Sequence, residues 1–183
     1  MLYPGNIKKE YHKTVSYGNR GMKLEGLIND ANKYYEVNMI ALIYKKPTPV
    51  AINKVEYQET NKVKTTGYLK SKSTLDYVGV YKGRYLDFDA KSTNNKTSFP
   101  LDNIHIHQLE HIKLVIKHGG ISFLIINMNN NNFILKGENL LDFIKNSDRK
   151  SIPYEHLQRI GFEIRTSYNP VLNYIETLDK IYF

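Results

Sequence analysis

The sequence predicts a mixed α/β domain ordered helix, three strands, helix, strand, and three stretches predict it. In 22–36, Leu24, Leu27, Ile28, Ala31, Tyr34 and Tyr35 fall at three- and four-residue steps, the stripe of an amphipathic helix. In 77–91, two runs rich in β-branched and aromatic residues flank a Lys82-Gly83 turn, the pattern of a hairpin. In 121–127 the chain is apolar on both faces, as a buried strand is, and Gly119-Gly120 closes the helix before it.

The elements follow in chain order. Residues 1–18 are polar and read as a flexible arm, and 19–183 read as one domain. After the first helix, 38–44 is an apolar strand, expected at the centre of the sheet. Pro47 and Pro49 then force the chain out of any central ladder, because proline lacks the N–H that a ladder uses. Residues 50–57 resume strand-like alternation. Residues 58–72 are polar and basic, with Lys62, Lys64, Tyr68, Lys70 and Lys72. The stretch of about 47–72 is therefore expected as a projecting stalk between the first and second core strands.

Beyond the hairpin, 92–101 reads as a polar loop carrying Lys96. Asp102 or Asn103 is expected to cap a helix reaching about residue 118, on which Gln108, Ile112 and Val115 share a face. The asparagine run 129–132 turns the chain into a strand at 133–135. Helices are expected over 140–144, 153–160 and 170–181, the last with Val171, Ile175 and Leu178 on one stripe.

Composition narrows the partners. Lys plus Arg number 26 against 18 Asp plus Glu, a net charge of +8, which suits a polyanion. No cysteine is present, so disulfides, thiolate nucleophiles and Cys-based zinc sites are excluded. The opening residues lack the apolar core of a signal peptide, no apolar run is long enough for a membrane span, and no helix is strongly amphipathic and basic. A cytoplasmic protein that avoids membranes is expected.

The chemistry concentrates in 73–108. On the second hairpin strand Leu86, Phe88 and Ala90 point to one face, while Tyr85, Asp87, Asp89 and Lys91 point to the other. Carboxylates beside an ammonium on an otherwise apolar strand are costly unless they serve each other or a metal. An Asp, then about a dozen residues later Asp/Glu-x-Lys, is the signature of many metal-dependent nucleases, and Asp76 with Asp89-Ala90-Lys91 satisfies it. Roughly two Asp/Glu-x-Lys matches arise by chance in a chain this long. The second, Asp148-Arg149-Lys150, sits in a polar run and reads as a solvated loop. His105 and His107, two positions apart, face away from each other on a helix, and although His107 and His111 have i, i+4 spacing, the three read as junction-backbone contacts or surface histidines rather than a metal site.

Longer wording carries a resemblance. Asn19-Arg20-Gly21-Met22-x-Leu24-Glu25, Lys45-Lys46-Pro47-Thr48-Pro49-Val50, Thr74-Leu75-Asp76-Tyr77, Gly79-Val80-Tyr81, 85–91 (YLDFDAK), 95–101 (NKTSFPL) and His107-Gln108-x-Glu110-His111 stand in order. Together they resemble the RecU family of Holliday junction resolvases over roughly residues 17 to 181. The resemblance implies a restriction-endonuclease-like core and an Mg²⁺-dependent endonuclease, with Mn²⁺ as a substitute. It implies that Thr74, Asp76, Asp89 and Gln108 are metal ligands and that Lys91 stabilises the transition state. It also implies paired symmetric nicks in four-way junctions during recombination and repair, a homodimer, a bacterial cytoplasm and room for a recombinase partner. The family usually has Glu where this chain has Asp89, one methylene shorter.

Glu25 reads either as support for the metal site or as a carboxylate held by the helix dipole. Asp87 reads either as a helper or, preferably, as a structural partner of Lys91 or Arg84. Arg20, Lys45, Lys46, Lys62, Lys64, Tyr68, Lys70, Lys72 and Lys96 are expected on DNA, lysines on phosphates and tyrosine on unpaired bases. An alternative reading keeps junction binding and bridging, through the basic stalk, and loses catalysis with the shortened acid.

Overall fold

A computed structural model describes residues 18–47, 50–57, 63–69 and 74–183 of the chain, with side chains from 23 onward except at 50–57 and 63–69. Residues 1–17 of the expected arm and Thr48, Lys62, Lys70 and Lys72 lie outside the described residues; Gly18, expected in the arm, opens the first helix, ahead of the expected start at 22, and at Arg20, Lys64 and Tyr68 only the backbone is described.

A six-stranded mixed sheet organises the fold. Its strands are β1 (Leu42–Lys45), β4 (Tyr77–Tyr81), β5 (Arg84–Ser92), β7 (Ile121–Met128), β8 (Asn131–Lys136) and β10 (Phe162–Glu163), in that spatial order. Between β1 and β4 in sequence, β2 (Val50–Tyr57) and β3 (Val63–Leu69) pair antiparallel as a separate two-stranded sheet, where the stalk was expected. A third, two-stranded sheet joins β6 (Ser98–Pro100) to β9 (Ser151–Pro153). The helices are α1 (Gly18–Val37), α2 (Ile106–Lys117), α3 (Gly137–Asn146), α4 (Tyr154–Ile160) and α5 (Tyr174–Tyr182). The series α1, β1, β4, β5, α2, β7 is the helix, three strands, helix, strand core that the sequence predicts.

Each face of the sheet has its own core. On one side α1 lays Leu24, Ile28, Ala31 and Tyr35 against Phe88, Phe123 and Ile125, and α5 adds Tyr174, Ile175 and Leu178. Tyr77, Phe88 and Phe123 stack in a column there, with ring centroids 4.9 and 4.6 Å apart. On the other side Ile112, Leu124, Ile126, Leu135, Leu140 and Leu157 join α2, α3 and α4 to the sheet. β5 and β7 run parallel, with Phe88 opposite Phe123 and Asp89 opposite Leu124. Parallel neighbours share a face, so Asp87 and Asp89 point to the α2 side.

Several expectations are corrected. β1 is the edge strand, not a central one, and it is shorter than 38–44: Met39 takes a positive φ of 55°, and the chain turns before Leu42. Leu42 and Tyr44 are exposed, so apolar content did not mean burial on both faces. Asp102 and Asn103 lie in a short 3-10 turn, and α2 starts after His105. The last helix starts at Tyr174 rather than near Pro170, leaving Val171 outside it and half exposed. β6, β9 and β10 were not anticipated. The Asn129-Asn130 turn does form, with both residues at positive φ, as a two-residue hairpin demands.

Candidate active site

β5 carries the candidate acid and lysine, Asp89 and Lys91. Its alternation buries Leu86 and Phe88 against α1 and turns Asp87 and Asp89 toward α2, where both are almost completely shielded from solvent. Lys91, two residues beyond Asp89, stays on the same face and sets its Nζ 3.0 Å from Asp89 Oδ2. From α2, Gln108 donates through Nε2 to Asp89 Oδ2 at 2.7 Å and to the Thr74 carbonyl at 2.9 Å. Gln108 Oε1 accepts the His105 N–H at 3.1 Å, which fixes the sense of the amide and caps the helix. Thr74 and Asp76 stand on the irregular lead into β4, anchored by Leu75, which is wholly buried in the α2-side core.

The electrostatics tie these groups together. Burial, above all, pushes the Asp89 carboxyl up from its ordinary value; Lys91 opposes this and the charge of Asp76 adds to it. Burial followed by the charges of Glu25, Asp76 and Asp89 pushes the Tyr77 hydroxyl up. Its hydrogen bond to Glu25 raises Lys45 first, and Asp76 and Asp89 raise it further. Glu25, Lys45, Asp76 and Asp89 therefore share one local field, although their elements are far apart in sequence.

The fit to a hard divalent cation rests on the donors. Asp89 Oδ1, like Asp87 Oδ1, is buried with no hydrogen-bond partner among the described residues, an expensive state for a carboxylate oxygen that a bound cation would relieve. Asp76 and Thr74 add oxygen donors, the ligand type that Mg²⁺ and Mn²⁺ take, whereas the Gln108 carbonyl, expected as a further ligand, is held by the His105 N–H and turns its N–H toward Asp89 instead. Among the described residues, no three His, Cys, Asp or Glu side chains converge as a metal group, so the two carboxylates Asp76 and Asp89 would need hydroxyl, backbone or water oxygens to complete a shell.

Other expected residues stand elsewhere. Lys45 pairs with Glu25 at 2.5 Å, which gives Glu25 a partner at the edge of the site. Lys46 turns inward to Asp87 (2.8 Å) and Thr74 Oγ1 (3.0 Å). Asp87 meets neither Lys91 nor Arg84. Its partners are Lys46, the Tyr85 hydroxyl at 2.7 Å and His111 Nε2 at 3.0 Å, and Arg84 bonds the Gly119 carbonyl instead. His111 was therefore missed as part of this cluster. Its i, i+3 spacing from Gln108, on one side of α2, is the signal that was there to be read. Lys96 is exposed in the loop after β5.

Comparison with known proteins assigns the chain to a family. The family model described as Recombination protein U matches residues 19–180. A Bacillus cytotoxicus protein named Holliday junction resolvase RecU is 44% identical, over 100% of this chain and 92% of its own length. One of the same name from Shouchella clausii is 46% identical over 92% of this chain and 83% of its own. Among solved structures, Archaeoglobus fulgidus Hjc, a Holliday junction resolvase, matches with a TM-score of 0.45 at 11% identity, covering 80% of this chain and 96% of that one. A family match across nearly the whole length, with relatives 44 and 46% identical, means that this chain belongs to the RecU family.

Proposed function

We propose that this chain is a divalent-metal-dependent endonuclease that resolves four-way DNA junctions by paired symmetric nicks. The observation that carries the reading is the pairing on β5: a buried Asp89 with one unpartnered oxygen, beside the Lys91 ammonium at 3.0 Å. Asp76, Asp89 and Thr74 are the residues that would hold Mg²⁺, with Mn²⁺ as a substitute, and Gln108, its oxygen committed to the His105 N–H, orients them. Such an ion, when bound, polarises the scissile phosphate and acidifies a water.

The chain's own groups do the rest. Lys91 neutralises negative charge that gathers on the phosphorus-bound oxygens during in-line attack. Its contact with Asp89 keeps the ammonium poised before DNA arrives. Gln108 holds Asp89 by one hydrogen bond and the Thr74 backbone by another, so β5 and the lead into β4 keep one spacing. Burial keeps the Asp89 carboxylate short of water, which strengthens its attraction for a cation.

Binding rests on the basic balance of the chain. The β2–β3 ribbon, which carries Lys64 and Tyr68 in β3, reads as the element that enters the junction, with Arg20, Lys62, Lys70, Lys72 and Lys96 as further backbone contacts. A two-fold dimer would bring two such sites to opposing strands of one junction. A DNA substrate and bacterial relatives support action in the cytoplasm.

The test is cleavage of a synthetic four-way junction beside a linear duplex, with and without Mg²⁺. Metal-dependent nicks confined to the junction are expected. Tight junction binding without cleavage under Mg²⁺ or Mn²⁺ would reduce the protein to a junction-bridging factor.

A further inference from the structure

Lys46 belongs, by sequence, with the phosphate-binding lysines. Its surroundings say otherwise. The ammonium lies between Asp87 Oδ2 (2.8 Å) and Thr74 Oγ1 (3.0 Å), and its own backbone N–H donates to the Asp76 carbonyl at 2.7 Å. Only about a fifth of the side chain is exposed, at 21%, and Asp87 is wholly buried at 0%. Asp87 Oδ2 is itself fixed by three donors, since Tyr85 and His111 complete its shell.

Residues 74–76 belong to no strand. What holds them is the burial of Leu75, the Gln108 bond to the Thr74 carbonyl, and these two Lys46 bonds. A charge-assisted bridge with an anchored carboxylate at one end is stiff, and it transmits that stiffness to the Thr74 hydroxyl.

We propose that Lys46, clamped on Asp87, is a positioning residue that sets Thr74 and Asp76 for metal binding, and that it does not contact DNA phosphate. This rests on the nuclease reading of the site. The Lys46–Asp87 pair bridges 41 positions of sequence and joins the end of β1 to the middle of β5. It therefore registers the edge strand, the segment before β4 and the reactive strand against one another.

The two roles give opposite signs in several measurements. The full chain and its Lys46→Met, Lys46→Arg, Asp87→Asn and Lys46→Met/Asp87→Asn variants are compared. Mn²⁺ binding is followed by the loss of the free-ion electron spin resonance signal, without DNA. Junction affinity and its salt slope are measured in Ca²⁺, and single-turnover cleavage at saturating protein over a Mg²⁺ series.

Positioning predicts that Lys46→Met and Asp87→Asn both weaken Mn²⁺ binding, by about fivefold or more, and slow cleavage about tenfold or more. Charge alone would tighten Mn²⁺ when the lysine is removed and weaken it when the aspartate is removed, so opposite shifts would overturn the proposal. Junction affinity stays within about twofold, and the salt slope is unchanged. Lys46→Arg is also slow, because a planar fork does not reproduce the bridge of a small ammonium. The double variant, which leaves no orphaned charge inside, is no worse than either single one.

Weaker junction binding, a salt slope smaller by about one and a full saturated rate in Lys46→Met would make Lys46 a phosphate contact and overturn the proposal. Wild-type cleavage is the separate control. If wild type cuts and Lys46→Met cuts equally well, this inference alone fails; if wild type does not cut with any divalent ion, the nuclease reading fails and carries the inference with it. Melting temperatures identify variants that lose the fold, and the Mn²⁺ and cleavage results of the double variant then decide.

Discussion

The Gln108 amide nitrogen lies 2.7 Å from Asp89 Oδ2, and the same nitrogen holds the Thr74 carbonyl at 2.9 Å. One side chain thus ties the reactive strand to the segment carrying the other ligand candidates, while its oxygen closes the first turn of α2 through the His105 N–H.

These two tasks separate by substitution. Gln108→Leu removes both, so it lowers stability by about 1–2 kcal/mol and slows junction cleavage at least about tenfold. Gln108→Glu still accepts the His105 N–H but donates nothing to Asp89 or Thr74. It therefore keeps more of the stability and still loses the rate. Denaturation midpoints and single-turnover rates check both; a Gln108→Glu variant as fast as wild type would remove the amide from the account.

Asp89 gives a pH signature. Burial raises its folded carboxyl above the ordinary value, so the folded state binds the proton more tightly than the unfolded state does. Stability therefore falls as pH rises from the ordinary carboxylate value through the raised one, and the deficit persists at neutral pH. Asp89→Asn removes the deficit. Without metal it melts above wild type at neutral pH, and the gap closes in acid. Mg²⁺ raises the wild-type melting temperature and leaves that of Asp89→Asn nearly unchanged. A variant that melts lower than wild type at neutral pH would contradict this.

The length of the acid is the next test. Asp89 is 1% exposed, under Gln108 and Lys91, so Asp89→Glu adds a methylene to a closed site at about 1–3 kcal/mol of stability. The carboxylate stays within reach of the same donors. Asp89→Glu is expected to retain metal-dependent cleavage within about tenfold of wild type, whereas Asp89→Ala loses it. Cleavage assays in Mg²⁺ and Mn²⁺ measure both.

Gly79 tests the link from edge strand to site. It pairs with Ile43 of β1, and a Cβ there would lie 2.3 Å from the Leu42 carbonyl oxygen and 2.7 Å from Ile43 Cα. Backbone cannot yield as a side chain can, so Gly79→Ala displaces β1 at about 2–4 kcal/mol. Lys45 and Lys46 leave the site with it. Thermal melts report the first effect, and cleavage below the melting range reports the second, as a rate loss resembling that of Lys46→Met.

Much of this was legible in local pattern. Alternation along β5 sorted Leu86 and Phe88 from Asp87, Asp89 and Lys91, because a period of two is a property of the strand itself. The stripe on α1 and the glycines ending α2 were equally local. What the sequence hid was long-range. Lys45 and Lys46 read as exposed cations until the fold turned them onto Glu25 and onto Asp87 and Thr74. Asp87 found His111 and Lys46, not its neighbours on the strand. The apolar run at 38–44 looked central, since composition does not reveal whether a strand has a neighbour on both sides; β1 has one. The start of α2 was misplaced because two good capping residues, Asp102 and Asn103, belong to a 3-10 turn, and the cap is made by Gln108 reaching back.

The proposed junction nuclease depends on Lys91 and Asp89 as its catalytic pair. The most direct measurement compares wild type with Lys91→Ala on a synthetic four-way junction, at saturating protein and with a linear duplex control. Paired symmetric nicks that need a divalent metal and spare the duplex are expected, with a rate at least about 100-fold lower in Lys91→Ala at unchanged junction affinity. A junction bound but uncut by wild type, or cut by Lys91→Ala at the wild-type rate, would contradict it.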